Sequence, residues 1–229
     1  MKVDRLEEML RTIDVEARAT AFLTGRSSFA PRVMEAFEQV PRTAFVPPEL
    51  IDYAYENRPL PIGRGQTISQ PYIVALMTDL LEPRSNQTVL EVGTGSGYQA
   101  AILAQLVQHV YSLEIIPLLA VEAAALLARL GYSNISVKTG NGHIGWPEHA
   151  PYDGIIITAA ATNLSPALLD QLKPGGRLVV PLGRPHMTQD LMLIEKDIGG
   201  KLHSRKILDV AFVPMMDEDH DSSITHGEG

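Results

Sequence analysis

The sequence predicts a single α/β domain built on a mostly parallel sheet, and three observations lead to that class. The chain has 229 residues, which is enough for one sizeable core and short for two. From residue 88 onward, short apolar runs alternate with helical segments, which is typical of a parallel sheet covered by helices. Near the end, strand candidates follow one another without a helix between them, which predicts an antiparallel hairpin at one edge.

The first third of the chain is predicted to be helical up to a polar loop. Apolar residues at three- and four-residue spacing predict helices over residues 3–13 and 31–40. Residues 59–71 combine Gly and Pro with polar side chains, so they are predicted to form a loop. A further helix is expected over residues 71–81.

Seven strands are predicted in the remainder, with helices over residues 98–106 and 117–130 between the first three. Pro117 and Gly131 stand just inside and just past the second of these helices, as such residues commonly do at helix ends. We predict one domain over residues 1–215, divided into an N-terminal helical and loop part (1–82) and a sheet part (83–215). The predicted strands cover residues 88–92, 109–113, 135–138, 154–158, 177–180, 191–195 and 207–213.

Composition and charge argue against several classes of function. The formal net charge is -8 and the basic residues are scattered, so nucleic acid is not expected as a partner. No apolar stretch approaches the roughly 20 residues of a membrane span, and the start carries no signal-peptide pattern. Cysteine is absent and no histidine spacing suits a metal, so no metal site is expected. We expect a cytoplasmic monomer that ends in an acidic, flexible tail over residues 216–229.

A glycine-rich loop after the first predicted strand indicates a cofactor site. Residues 89–98 read VLEVGTGSGY, and glycines at a strand-to-helix turn let the backbone approach a ligand closely. The dinucleotide fingerprint requires a third glycine where this chain has Tyr98, and the Gly-Lys-Ser/Thr ending of phosphate loops is missing. The sequence therefore favours a cofactor without phosphates, with a purely structural turn as the alternative.

Two polar residues at the ends of the next strands extend this predicted site. Glu114 ends the second strand, where a carboxylate can accept hydrogen bonds from both hydroxyls of a ribose. Asn141 follows the third strand and offers both a donor and an acceptor to a base. Gly-Asn-Gly is equally good turn chemistry, so both interpretations of Asn141 stay open.

With these residues identified, the chain resembles the protein-L-isoaspartate O-methyltransferase family over about residues 32–215. The most specific match is AYENRPLPI at residues 54–62, which continues through GQTISQP at 65–71. The resemblance implies a Rossmann-like class I methyltransferase fold with S-adenosylmethionine bound at the glycine loop. Further matches are DGIIITAA at residues 153–160, QLKPGGRLVVP at 171–181 and FVP at 212–214.

The resemblance also implies a reaction and a set of site residues. The expected reaction methylates the α-carboxylate of L-isoaspartyl residues in damaged proteins or peptides, with Ser69 beside that carboxylate as the catalytic residue. From its position before Pro71, Ser69 is equally well suited to cap the following helix. The predicted cofactor-binding residues are Glu91, Gly93, Thr94, Gly95, Ser96, Gly97, Glu114, Ile115, Asn141, Gly142 and Thr158. The predicted substrate-binding residues are Thr67, Ile68, Ser69, Gln70 and Val213.

Three departures from the family's usual residues leave alternatives open. Asn57 and Asn141 stand where aspartate is common, and Ile115 stands where arginine is frequent. One alternative is a peptide-tailoring enzyme that esterifies an ordinary aspartate of a dedicated partner peptide. The other is a protein that binds S-adenosylmethionine without turnover.

The expected reaction needs no general base, because a carboxylate with a pKa of about 4 is already ionised at neutral pH.

Overall fold

The computed structural model describes residues 5–185 and 187–216, so the tail predicted over residues 216–229 lies outside them except for its first residue. The helices are α1 (Arg5–Ala19), α2 (Ala21–Thr24), α3 (Pro31–Gln39), α4 (Pro71–Leu81), α5 (Tyr98–Ala104), α6 (Pro117–Arg129) and α7 (Pro166–Asp170). The strands are β1 (Leu60–Gly63), β2 (Gln66–Ile68), β3 (Thr88–Val92), β4 (His109–Glu114), β5 (Ile135–Thr139), β6 (Tyr152–Ile157), β7 (Leu172–Leu182), β8 (Gln189–Lys196) and β9 (Leu202–Val210).

The central sheet has seven strands in the order β5-β4-β3-β6-β7-β8-β9. The strands from β5 to β7 pair in parallel, while β8 and β9 add to the far edge in antiparallel pairing. The predicted α/β class, the strand number and the antiparallel edge are confirmed. Strand β3 has β4 on one side and β6 on the other, so the chain order reverses there. Ligands of open α/β sheets bind at such a point, beyond the carboxyl ends of the strands.

The N-terminal helices cover one face of this sheet through α4. Every residue of α4 is buried, because α4 lies between the sheet and the helices α1 and α3. Helix α1 turns Met9, Ile13 and Ala17 inward at the spacing expected of one helix face. This layered core fixes the start of α4, at Pro71, relative to the carboxyl end of β3. The single domain over residues 1–215 stays a prediction.

Two predictions of local structure are wrong. Residues 59–71, predicted as a loop, contain the antiparallel hairpin of β1 and β2, in which the buried Leu60 pairs with the buried Ile68. Arg64 and Gly65 turn the hairpin with φ angles of 51° and 69°, and prolines and glycines conceal the short strands in the sequence. The last strand, predicted over residues 207–213, lies at β9 instead. Its first half carries exposed polar side chains and has no apolar pattern.

No described helix is long and apolar enough to cross a membrane.

Candidate active site

A cavity lies beyond the carboxyl ends of β3, β4 and β6, where the order of the sheet reverses. Its empty volume is about 760 Å³ including its mouth, which is within the usual range of ligand sites. The glycine loop forms one wall, called here the cofactor wall, and the β1–β2 hairpin with Ser69 forms the other, called the substrate wall. The predicted residues that line it are Thr67, Ile68, Ser69, Gly93, Thr94, Gly95, Ser96, Glu114, Ile115, Gly142, Thr158 and Val213.

The glycine loop can approach β6 closely because Gly93 has no side chain. Gly93 has a φ of 97°, and a Cβ atom there would lie 2.5 Å from Oγ1 of Thr158. That same hydroxyl donates a hydrogen bond of 2.6 Å to the carbonyl oxygen of Gly93. A Cβ atom at Gly142, across the cavity floor, would collide with Val92. Both glycines line the cavity, and their lack of a side chain lets the backbone pack closely against these neighbouring side chains.

Glu114 presents a fixed carboxylate to the cavity. Its Oε2 accepts a hydrogen bond of 2.8 Å from the backbone N–H of Gly95, and its Oε1 accepts one of 3.0 Å from that of Ile116. The side chain is only 5% exposed and lines the cavity. Each carboxylate oxygen keeps further lone pairs, so the group can also accept hydrogen bonds from two neighbouring hydroxyls of a ligand.

Glu91, predicted to contact the cofactor, lies beneath the glycine loop and does not line the cavity. The hydroxyl of Ser112 donates a hydrogen bond to Oε2 of Glu91, and it lies 2.6 Å from Oγ1 of Thr94 in the loop. Burial raises the pKa of Glu91 to about 8, and the nearby charge of Glu114 also raises it. Glu91 is therefore mostly protonated at neutral pH and supports the loop from below.

Three more predicted residues lie away from this cavity. Gly97 faces α6, where a Cβ atom would lie 3.2 Å from Leu127, so its small size serves helix packing. The side-chain oxygen of Asn141 accepts a hydrogen bond of 2.9 Å from the backbone N–H of His143, as in a turn, and Asn141 lines an adjacent hollow. Gln70 lines a groove behind the hairpin. Direct contact of these residues with a ligand stays a prediction.

That second groove lies on the far side of the β1–β2 hairpin and has an empty volume of about 890 Å³. Thr67 and Ser69 line both the groove and the first cavity, so the hairpin separates the two spaces. Among the described residues, Glu114 is the one charged side chain of the cavity and Asp209 the one of the groove. Sequence reasoning missed the contribution of residues 209–212, because only the folded sheet brings the end of β9 beside Ser69.

Ser69 does not cap α4, so that interpretation of its position is wrong. The residue at the N-cap is Gln70, which makes no side-chain capping bond, and the side chain of Asn57 takes that role. Its Oδ1 accepts a hydrogen bond of 3.0 Å from the backbone N–H of Tyr72. Within the described part of the chain, the hydroxyl of the half-buried Ser69 has no hydrogen-bond partner. It is available to a ligand at the junction of the two spaces.

Arg42 is a buried residue behind Ser69 that sequence reasoning missed. Its Nη2 donates a hydrogen bond of 2.7 Å to the carbonyl oxygen of Ser69, and its Nε donates one of 2.8 Å to that of Ala54. Its guanidinium lies 4.9 Å from the ring centre of Tyr98. Burial lowers the pKa of Arg42 to about 10, which leaves it charged at neutral pH. An arginine that follows a proline gives no sequence signal of such burial.

Metal ligands are not assembled in this region. Over residues 5–185 and 187–216, no group of three or more His, Cys, Asp or Glu residues could hold a metal ion.

Comparisons with known proteins agree with this geometry. A family model described as Protein-L-isoaspartate(D-aspartate) O-methyltransferase (PCMT) matches residues 23–220. Protein-L-isoaspartate O-methyltransferase 2 of Syntrophobacter fumaroxidans is 61% identical over 208 residues, covering 91% of this chain and 84% of that protein. Protein-L-isoaspartate O-methyltransferase 1 of Cupriavidus necator is 54% identical over 209 residues, covering 91% of this chain and 81% of its own length.

Solved structures show the same fold. A protein-L-isoaspartate O-methyltransferase superposes with a TM-score of 0.81 at 26% identity, covering 93% of this chain and 66% of that chain. A Plasmodium falciparum structure, described as a candidate protein-L-isoaspartate O-methyltransferase in complex with S-adenosyl-L-homocysteine, superposes with a TM-score of 0.74 at 23% identity. The latter covers 91% of this chain and 97% of that chain, and at this identity it supports the fold alone.

Proposed function

We infer the role of each site residue from one premise: the chain belongs to the protein-L-isoaspartate O-methyltransferase family. It is an S-adenosylmethionine-dependent enzyme that methylates the α-carboxylate of L-isoaspartyl residues, the reaction that begins their repair. Identities of 54% and 61% over nine-tenths of the chain favour this activity over the peptide-tailoring and non-catalytic alternatives.

The cofactor wall fits S-adenosylmethionine in shape and chemistry. Gly93 and Gly142 line the cavity with backbone alone, and the Glu114 carboxylate can accept hydrogen bonds from ribose hydroxyls. Ile115 and Met215 give the cavity apolar surface that suits a flat base. When bound, the cofactor supplies a methyl group already activated on a positively charged sulfur.

Ser69 is the residue that we assign to the substrate carboxylate. The observation that carries this assignment is its unpaired hydroxyl at the junction between the cofactor cavity and the groove. By donating a hydrogen bond to one carboxylate oxygen, Ser69 orients the group and leaves the other oxygen to attack. A neutral donor keeps that oxygen nucleophilic, whereas a contacting cation would weaken it. Alignment of this kind can lower the barrier by about 7–11 kcal/mol in favourable cases.

The remaining substrate-wall residues shape the path of the peptide. Thr67 borders both spaces, Gln70 borders the groove, and Ile68 and Val213 border the cavity. Apolar side chains at the junction exclude water from the carboxylate, which strengthens its interactions with the site.

Ser69→Ala tests this assignment. We expect kcat/KM for an isoaspartyl peptide to fall about 10- to 100-fold, the range for a hydrogen bond to a charged group. Calorimetry should give an unchanged Kd for S-adenosylmethionine, because Ser69 is not on the cofactor wall. The control is Ser204→Ala on the exposed face of β9. Unchanged turnover in Ser69→Ala would mean that Ser69 has no role in the reaction. Methyl transfer by the parent enzyme to a matched aspartyl peptide, with none to the isoaspartyl peptide, would favour the peptide-tailoring alternative.

The proposal extends to partners and location. We propose that isoaspartyl-containing proteins and peptides are the partners, that neither nucleic acid nor membrane is, and that the protein works as a cytoplasmic monomer. The net charge of -8 supports the exclusion of nucleic acid. Sedimentation at a mass clearly above the 25.0 kDa of one chain would contradict the monomer.

A further inference from the structure

Arg42 connects the two walls of the active site from inside the protein. None of its surface is exposed. One nitrogen of its guanidinium donates to the carbonyl of Ser69, and another donates to the carbonyl of Ala54 at the start of the family-specific segment. The guanidinium lies over the ring of Tyr98, the first residue of α5, which also lines the cofactor cavity. Arg42 therefore contacts the substrate wall and a residue that lines the cofactor cavity, and Arg42 itself lines neither space.

We propose that Arg42 is a positioning residue for methyl transfer, which fixes the Ser69 hydroxyl at its working distance from the cofactor wall. The inference rests on the role proposed for Ser69. The carbonyl that Arg42 holds and the hydroxyl that orients the substrate belong to the same residue, so a shift of one moves the other.

The substrate wall needs such an anchor because its own hydrogen bonds are few. The β1–β2 hairpin pairs over only three residues of β2, and its turn at Arg64 and Gly65 is exposed. Beyond Ile68 the chain leaves the hairpin and reaches α4 after two residues. Short two-stranded hairpins are marginally stable on their own, so the bond from Arg42 fixes a segment that would otherwise move.

The arginine side chain suits this task better than any other. Its planar guanidinium carries several donors in a fixed geometry and can hold two carbonyl groups of separate segments, whereas the ammonium of lysine is a single point. Burying a charge is costly, and a neutral apolar residue of similar size commonly serves stability as well or better. The two carbonyl acceptors and the Tyr98 ring offset that cost here. The presence of a buried charge here is thus consistent with a requirement to hold Ser69 in position.

The position of Arg42 also keeps its positive charge out of contact with the reacting groups. Arg42 acts on Ser69 through a backbone carbonyl, so it does not contact the carboxylate oxygen that attacks the methyl group. The site obtains a rigid donor at Ser69 while no Lys or Arg of the described residues lines the cavity or the groove.

Arg42→Met and Arg42→Lys test the proposal in the full-length enzyme. A displacement of about 1 Å at a reacting group can cost about a hundredfold in rate, so we expect kcat for an isoaspartyl peptide to fall about 30- to 100-fold in Arg42→Met. Arg42→Lys should lose less, because it can still hold one carbonyl. The Kd for S-adenosylmethionine should stay within about twofold of the parent value in both.

A matched control separates position from stability. Leu193→Ala removes a buried side chain from β8, away from both spaces, and should lower Tm without lowering kcat at temperatures well below Tm. If Arg42→Met loses activity only in proportion to its unfolded fraction, as a structural role requires, the proposal is overturned. Should Arg42→Met fail to fold, Arg42→Lys and Arg42→Gln carry the same comparison.

A double-mutant cycle with Ser69→Ala decides whether Arg42 works through Ser69. Residues that act as one unit are not additive, so adding Arg42→Met to Ser69→Ala should lower kcat by less than about threefold. An equal loss in both backgrounds would show that Arg42 acts independently of Ser69 and would overturn the inference. A Ser69→Ala variant with full activity would instead refute the role proposed for Ser69. The two failures are thus distinguishable.

Discussion

The two walls of the active site are built in different ways. The cofactor wall is a contiguous turn at residues 93–97, and Glu114 bonds directly to one of its amides. The substrate wall holds the segment around Ser69 through side-chain bonds to its backbone: Arg42 donates to the carbonyl oxygen of Ser69, and Asn57 accepts from the amide of Tyr72. The cofactor wall depends on space around the backbone, and the substrate wall depends on anchors. We therefore expect added atoms to damage the first and removed hydrogen bonds to damage the second.

Gly93→Ala should be the most damaging of these changes, and a mild effect would mean that the cofactor wall does not depend on the space around its backbone. The new Cβ atom would meet the Thr158 hydroxyl at 2.5 Å in a backbone conformation that disfavours side chains. We expect the free energy of unfolding to fall by about 3 kcal/mol, from strain and overpacking together. We also expect the Kd for S-adenosylmethionine to rise at least about a hundredfold, because the wall itself is displaced.

Gly131→Ala is the matched control for this prediction. Gly131 has a similar φ of 87° but no atom within 4 Å of a new Cβ atom. It should cost about 1 kcal/mol and leave cofactor binding unchanged. Equal effects at the two glycines in chemical denaturation and calorimetry would mean that backbone strain alone matters, and that the close approach to Thr158 does not.

Glu91→Gln should have a smaller effect on stability, and it tests the support beneath the cofactor wall. The folded-state pKa of Glu91 is raised to about 8, so between the unfolded pKa and pH 8 the folded state holds a proton that the unfolded state has lost. The stability contributed by this group is therefore complete at low pH and decreases as pH rises towards 8.

Glutamine does not titrate, so the variant should gain stability relative to the parent between pH 5 and pH 8. We expect that gain to be roughly 1–3 kcal/mol, measured as the difference in free energy of unfolding from urea titrations. A difference that is independent of pH would mean that Glu91 is ionised in the folded protein.

Asn57 variants should give the smallest effect and test an anchor of the substrate wall. Asn57→Ala removes the acceptor for the Tyr72 amide at the start of α4 and should cost about 1 kcal/mol. Asn57→Asp keeps the acceptor and adds a negative charge at a helix N-terminus, which should stabilise by about 0.5 kcal/mol. Thermal unfolding of the three proteins measures both effects. A less stable Asn57→Asp would mean that the amide nitrogen of Asn57 has a role that a carboxylate cannot fill.

Most of the fold could be predicted because local sequence patterns determine where its strands and helices form. The alternation of apolar strands and helices gave the parallel sheet, and α4 begins and ends at the predicted residues 71 and 81. The hairpin of β1 and β2 was missed because its stability comes from pairing and from the burial of Leu60 and Ile68, and a run of prolines and glycines does not report either. Strand β9 was misplaced for a related reason: half of it pairs with β8 through polar, exposed residues.

The candidate site likewise contains residues that the sequence could identify and residues that it could not. Gly93, Gly95 and Glu114 could be identified from spacing, since a turn and the next strand end are fixed by local geometry. Glu91 belongs to the same motif, yet the alternation of a strand turns its side chain beneath the loop, so adjacency to the glycines did not imply contact with the cavity. Arg42 could not be found at all, because its importance arises from burial and from partners that only folding brings near.

Because the β1–β2 hairpin stands between the cavity and the groove, we expect the cofactor and the peptide to approach Ser69 from opposite sides of the hairpin. Binding in separate spaces would allow one of them to be exchanged while the other stays in place. A large protein substrate would then remain on the groove side of the hairpin, and only the α-carboxylate to be methylated would extend past Ser69 towards the cofactor.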